Sequence, residues 1–427
     1  MNWHQPGEII IVGAGVTGLS LARQLAGRGF KVTILEAEPR TGGRIHTLRN
    51  GAFSHPVELG VEFIHGKLPL TFGLLEEASI RTVPVGGTMM RNVNGKMTPQ
   101  DDFALDWGEL MEKMNELRVD MTMDEFLDRY FAGSTYEDVR KSVTRFAEGF
   151  DLADTSRAAV LALREEWMGD EDEQFRVPGG IDQLTDFLEK KCLDAGCTIV
   201  TSTEVTEIRW RPGEVTAITP IGNFQARRAA ITVSLGQLQK GAITFSPPID
   251  SKNNAFQQIG WGTAVRILLE FRSAFWEEKY SRLGFILSEE AVPTWWTQAP
   301  SEFPLLTGWA GGPQAVRLLD RTNEEILDVA LESLSGIFSE PVTVLRDMLK
   351  ASAIANWHRF EHFSGAYSYS LVGTMAAVNE LRSPVDDTIF FVGEACYHGP
   401  SPGTVEAALV SARDVAASIV EKMERSS

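Results

Sequence analysis

Hydrophobic positions fall along this chain in three rhythms, and each predicts a different kind of element. Glu8-Ile-Ile-Ile-Val12 and Thr388-Ile-Phe-Phe-Val392 are short, nearly unbroken apolar runs, the pattern of strands covered on both faces of a parallel sheet. Lys31-Val-Thr-Ile-Leu35 predicts a third such strand. A 3.6-residue rhythm follows the first run, where Leu19-Ser-Leu-Ala22-Arg-Gln-Leu25-Ala26 is closed by Gly27 and Gly29. The same rhythm places Val405, Ala408, Leu409, Ala412, Val415, Ala416, Ile419, Val420 and Met423 on one stripe of a C-terminal helix. Residues 100–170 carry amphipathic helical patterns, as in Trp107–Leu117 and Met123–Phe131, and predict a helical insertion. Residues 263–310 alternate instead, as in Ala264-Val-Arg266-Ile-Leu-Leu-Glu270-Phe271. With Trp295, Trp296 and Trp309 they predict a sheet whose aromatic face floors a substrate cavity.

Glycines join the first strand to the first helix. In Gly13-Ala-Gly15-Val-Thr-Gly18, Gly13 permits the tight turn, Gly15 lets a pyrophosphate approach the backbone, and Gly18 lets helix and strand pack closely. The helix start offers free N–H groups and a positive dipole end. The next strand closes on Glu36, eighteen residues after Gly18, where a carboxylate can accept ribose hydroxyls. Strand, glycine turn, helix, strand and acid in this order form a Rossmann-type dinucleotide-binding unit. Just beyond it, Pro39-Arg-Thr-Gly-Gly43-Arg44 brings two glycines and a cation within reach of the same pyrophosphate.

The segment from Gly13 to Arg44 resembles the N-terminal fingerprint of the flavin-containing amine oxidase family, which includes monoamine oxidases, polyamine oxidases, histone lysine demethylases and L-amino-acid oxidases. The resemblance continues along most of the chain. Glu58-Leu-Gly60-Val-Glu-Phe63-Ile-His65-Gly66 is similar to the glycine-rich segment passing beside the flavin ring. Val177-Pro-Gly179-Gly180 is similar to the turn that returns the chain to the FAD domain. Residues 198–233 resemble the adenine-side meander, which implies a main-chain adenine contact at Val205, and Phe245-Ser-Pro-Pro-Ile249 resembles a crossover into the substrate domain. Gly393-Glu394 and Gly403-Thr404-Val405 match the segments that hold the ribityl and pyrophosphate region and the pyrimidine edge. The implied fold is α/β: a glutathione-reductase-like FAD-binding domain at 1–85, 178–260 and 375–427, and a discontinuous α+β substrate domain at 86–177 and 261–374. The implied cofactor is FAD, held by Gly13, Gly15, Gly18, Glu36, Gly43, Arg44, Val205, Glu394, Thr404 and Val405.

Two departures from the family pattern bear on chemistry. Gly365-Ala366-Tyr367 resembles the stretch that sets an aromatic ring beside the flavin. Ala366 stands where monoamine oxidases carry the cysteine that bonds FAD, which implies a noncovalent cofactor. The second aromatic of their cage is replaced by Thr404. Many members also carry a lysine in Gly-x-Gly-x-x-x-Lys; this chain reads Gly260-Trp-Gly262-Thr-Ala-Val-Arg266, and an arginine cannot serve as a base near neutral pH. Arg266, Tyr367 and His65 are therefore the expected residues at the flavin ring.

Composition narrows the partners. The 427 residues are 43% hydrophobic and 23% charged, and their net charge of −18, with no Lys/Arg cluster, disfavours nucleic acid and anionic lipid. Cys192, Cys197 and Cys396 are an odd number without a disulfide framework, which points to a reducing compartment, the cytoplasm. The first residues lack the basic region of a signal peptide, and no run reaches the ~20 apolar residues that span a bilayer. His358-Arg-Phe-Glu361-His362 matches a zinc-peptidase letter pattern, but Phe363-Ser-Gly365 does not continue a helix, so no metal is expected. The expected activity is FAD-dependent oxidation of the C–N bond of a small amine or amino-acid-like substrate, with O₂ or a carrier as acceptor. A desaturase or porphyrinogen-type oxidase acting on C–C bonds, and a flavoprotein without net redox turnover, are the alternatives. Homo-oligomerisation is left open.

Overall fold

The β-branched run at the N-terminus forms a strand, Gly7–Val12, because its alternate side chains have two cores to enter. Ile9 and Ile11 pack with Leu19, Leu25, Leu188, Ala412 and Ile419, while Ile10 and Val12 pack with Ile231, Phe256, Val378 and Phe391. Each fully buried isoleucine contributes roughly 1.5–3 kcal/mol. The first core lies under the helices Val16–Ala26, Asp182–Asp194 and Val405–Ser426, the second under Asp250–Gln257 and Thr374–Arg382. This computed structural model describes residues 7–93, 95–100, 107–169 and 173–426.

The eight-stranded sheet runs in the order Thr198–Val200, Val32–Leu35, Gly7–Val12, Gly222–Ile231, Glu214–Thr219, Glu207–Arg211 and Thr244–Ser246. Ile389–Phe391 pairs in parallel with the end of Gly222–Ile231. The two N-terminal strands are parallel neighbours, with the glycine turn between the first strand and its helix, as in a Rossmann-type unit.

A second, seven-stranded sheet runs Leu349–Asn356, Ala264–Phe271, Leu305–Gly311, Thr294–Trp296, Leu283–Leu287, Thr88–Val93 and Lys96–Pro99. The alternation in Ala264–Phe271 suggests one solvated face, yet all eight residues are buried. Val265, Ile267 and Leu269 pack beneath the helix Asn323–Phe338, which opens with a capping box between Thr322 and Glu325. The polar residues Arg266 and Glu270 face inward, 4% and 1% exposed, and each carries a partner: Glu62 for the first, Lys350 for the second. Trp295 lies against Gly308, where a Cβ would stand 2.7 Å from the indole, whereas Trp296 projects from the opposite face.

The helical insertion forms Gly108–Glu116, Met123–Tyr130, Glu137–Gly149 and Val160–Gly169. Residues 101–106 and 170–172 within it, residues 1–6 and the Met423 side chain lie outside the described set. All three cysteines are buried and unpaired by disulfides. Among the described residues no group of His, Cys, Asp and Glu could hold a metal, and no helix is long and apolar enough to cross a membrane.

Candidate functional site

A cavity of about 660 Å³ runs from the glycine turn to the face of the second sheet. Gly13 takes φ +109°, a conformation glycine adopts without steric cost. A Cβ on Gly15 would meet nothing nearer than Gly43 Cα at 3.9 Å, so its backbone borders open space at the helix start. Gly18 lies behind the wall, where a Cβ would stand 2.0 Å from the Gly13 carbonyl oxygen. Glu36 also lines the cavity and accepts hydrogen bonds from the Ala14 amide at 2.6 Å and the Glu38 amide at 2.8 Å. Burial pushes its carboxyl above the ordinary value, against those two bonds.

Arg44 crosses the middle of the cavity wall. Its Nη1 donates to the Ala366 carbonyl at 2.6 Å and to Glu394 Oε1 at 3.1 Å, and its guanidinium stands over Trp261. The other Glu394 oxygen accepts from the Ser368 hydroxyl at 2.6 Å. Gly43, Val205, Thr404 and Val405 complete this part of the wall. Thr404 caps the C-terminal helix, accepting from the Ala407 amide at 3.2 Å.

Where the cavity meets the second sheet stand Tyr367, Arg266 and His65. The Tyr367 hydroxyl donates to the Phe150 carbonyl at 2.5 Å, burial pushes its phenol well up, and its ring packs on Gly403. Trp309 Nε1 donates to the neighbouring Gly149 carbonyl at 2.7 Å, so two aromatic side chains hold the end of the Glu137–Gly149 helix. His65 lies edge-on to Phe150; burial lowers its pKa to about 4, leaving the imidazole neutral at physiological pH, with a buried Nδ1 that has no partner.

Arg266 belongs to a buried ionic cluster. Its Nη1 donates to the Glu58 carbonyl at 2.9 Å and lies 3.6 Å from Glu62 Oε2, its guanidinium sits between Trp296 and Trp309, and its Nε has no partner. Glu62 also accepts from Arg176 Nε at 2.8 Å, Trp296 Nε1 at 3.0 Å and Gln298 at 3.2 Å. Burial pushes the Glu62 carboxyl up, but Arg176 and Arg266 outweigh it and hold the group below the ordinary value.

Twelve of the thirteen residues singled out in the sequence thus border one cavity, Gly18 being the exception. Sequence reasoning missed Glu62, although it sits in the very segment read for its glycines, as a lone acid between Val61 and Phe63. It also missed Arg176, Phe146, Phe150 and the cationic pair Arg91 and Arg145, whose places depend on tertiary pairing.

Residues 16–420 match the sequence model of the flavin containing amine oxidoreductases. Polyamine oxidase 2 of Arabidopsis thaliana is 26% identical over 454 residues, spanning 97% of this chain and 89% of the relative. Lysine-specific histone demethylase 1 homolog 2 of the same plant is 27% identical over 95% of this chain, which spans only 57% of that protein. Among solved structures, cyclohexylamine oxidase from Brevibacterium oxydans superposes with a TM-score of 0.83 at 23% identity, over 98% of this chain and all of that one. A wild-type putrescine oxidase bound to putrescine gives 0.83 at 19% identity, over 98% and 99% of the two chains.

Proposed function

Since the chain belongs to the flavin-containing amine oxidoreductases and is a flavin-dependent oxidoreductase, we propose that it binds FAD noncovalently and oxidises the C–N bond of a small amine. The observation that carries this reading is the single cavity joining the glycine turn and Glu36 to the aromatic chamber around Tyr367. Its walls fit an extended dinucleotide: open backbone at Gly15, a helix N-terminus, an acid at the end of the second strand and a cation at Arg44. Ala366 offers no sulfur, and none of the three cysteines lines the cavity.

Bound FAD would supply the two-electron acceptor for hydrogen leaving the amine's α-carbon. The protein's part is positioning and electrostatics. Tyr367 and Trp309 wall the chamber and exclude water; the neutral His65 can exchange a hydrogen bond without adding charge. Arg266 keeps its proton, so it can orient a water or an anionic ring edge but cannot remove a proton. With arginine in place of the lysine that many members carry, reaction with O₂ is slow and the enzyme works as a dehydrogenase passing electrons to a carrier.

The strands of the eight-stranded sheet come from residues 7–35, 198–246 and 389–391, and those of the second sheet from 88–99 and 264–356, which supports a cofactor domain at 1–85, 178–260 and 375–427 beside a substrate domain at 86–177 and 261–374. The three free thiols favour the cytoplasm.

Anaerobic titration of the holoenzyme with amines, amino acids and hydrophobic alkenes tests the reaction class. Bleaching of the flavin by amines supports the proposal; bleaching by alkenes alone moves it to C–C chemistry, and none with any class leaves a binding protein.

A further inference from the structure

The cavity floor is ruled by one row of paired residues across the second sheet. Arg266 pairs with Trp309, Trp309 with Thr294, Thr294 with Leu287, and Leu287 with Arg91. Paired residues share a face, and all five border the cavity. Four strand spacings of about 4.8 Å set the Arg91 main chain ~19 Å from that of Arg266. Between the two arginines Trp309 and Leu287 flank Thr294, and Trp296 and Phe285 in the adjoining row add apolar surface to the floor.

The roof runs the same way. Ser142, Arg145, Phe146, Gly149 and Phe150 face the cavity at helical spacing, and the Phe150 end is tied to Tyr367. Arg145 therefore stands toward the far end, where its Nη2 meets Glu289 Oε1 at 2.8 Å. Glu289 follows Leu287, the strand partner of Arg91, by two residues, and its carboxyl is held low chiefly by Arg145, with Lys141 and Arg91 adding to the effect. Glu289 balances one of the two arginines. Among the described residues the Arg91 guanidinium has no hydrogen bond or ion pair, and at this end those residues place two arginines against the single carboxylate of Glu289. The near end is different: Glu166 borders the cavity and, with Asp151, bears electrostatically on Tyr367.

We propose that Arg91, with Arg145 beside it, is a subsite for an anionic group, and that the preferred substrates are amines carrying a carboxylate at the far end of an apolar chain. This rests on the amine-oxidising reading above and specifies its substrate class. The amine lies at the Tyr367 end, the chain runs over Trp309 and Leu287, and the carboxylate meets Arg91. A diamine of equal length brings its second ammonium to the same arginine and is disfavoured.

The test uses the holoenzyme with three series of stepped chain length: n-alkylamines, α,ω-diamines and ω-amino carboxylates. The readout is the ratio of kcat/KM for the ω-amino carboxylate to that for the alkylamine of equal length, taken within each protein so that a general loss cancels. The wild-type ratio is expected to peak at about 10- to 100-fold at one chain length, the value of a charge-assisted contact. It should fall to near unity in Arg91→Gln, and Arg91→Glu should favour the diamine. A wild-type ratio near unity at every length, or a preference that Arg91→Glu leaves intact, overturns the subsite. If no amine is turned over, the oxidation reading fails but the subsite is still measured: calorimetric titration with n-alkyl carboxylates should show binding weakened about tenfold or more by Arg91→Glu, and equal or absent binding rejects it.

Discussion

Arg44 Nη1 lies 3.1 Å from Glu394 Oε1, an ion pair between residues 350 positions apart that ties the glycine-rich segment after the second strand to the end of the Ile389–Phe391 strand. Glu394 is the buried member, so the arginine neutralises it while keeping further N–H groups for a pyrophosphate. Arg44→Ala should weaken FAD binding by ~1.5–3 kcal/mol, and Glu394→Gln by less, because the amide keeps an acceptor for Ser368. Fluorescence titration of apoprotein with FAD checks both, and an unchanged Kd in Arg44→Ala removes that residue from the cofactor site.

Gly15 and Gly18 separate binding from folding. A methyl group on Gly15 has open space before it, so Gly15→Ala should keep the wild-type Tm as apoprotein and lose flavin affinity. On Gly18 it collides with the Gly13 carbonyl, and Gly18→Ala should lose about 1–3 kcal/mol or more of stability despite alanine's better helix propensity. Thermal unfolding of the apo forms distinguishes them. Equal Tm values would mean the turn can shift to accept either methyl group.

Arg266→Lys restores a group that can give up its proton. Stopped-flow mixing of reduced wild-type enzyme with air-saturated buffer should show slow reoxidation, and the lysine variant should accelerate it by roughly tenfold or more, the size of a modest acid–base effect. Fast reoxidation of both proteins rejects the dehydrogenase reading.

Glu58 predicts a pH dependence of stability. Burial, the dominant cause, raises its carboxyl from 4.5 to about 7, against hydrogen bonds from the Ile181 amide and Thr47. The folded state thus holds this proton more tightly than the unfolded state does. Stability from this group is present below pH 4.5, declines as pH rises toward 7, and levels off above it. Glu58→Gln should gain stability relative to wild type across that interval, measured as the Tm difference at stepped pH. A difference that does not vary with pH contradicts the assignment.

Acid or heat precipitation should release intact FAD into the supernatant, because Ala366 provides no sulfur for attachment. Flavin remaining with the polypeptide would identify a covalent link elsewhere.

The glycine turn, its flanking strands and Glu36 were legible because each is specified by residues within a few positions of it. The Trp107–Leu117 and Met123–Phe131 patterns likewise correspond to helices at Gly108–Glu116 and Met123–Tyr130. What escaped was non-local. Glu62, Arg176 and Arg266 come from three separate segments, and only folding makes them one ionic cluster. The alternation in Ala264–Phe271 identifies a strand, but its outer cover, the helix Asn323–Phe338, arrives more than fifty residues later. Nothing in the run Thr294-Trp-Trp296 says which indole faces the cavity; pairing with Leu305–Gly311 decides it.

That pairing limits how the enzyme can be remodelled. Because neighbouring residues on a strand face opposite ways, deleting one residue ahead of Trp295 would turn Trp295 toward the cavity and drive Trp296 against Gly308. New specificities on this scaffold are therefore reachable by exchanging side chains at Thr294, Trp296, Leu287 or Arg91. Changes in strand length would invert the floor wholesale, so insertions and deletions belong in the connecting loops.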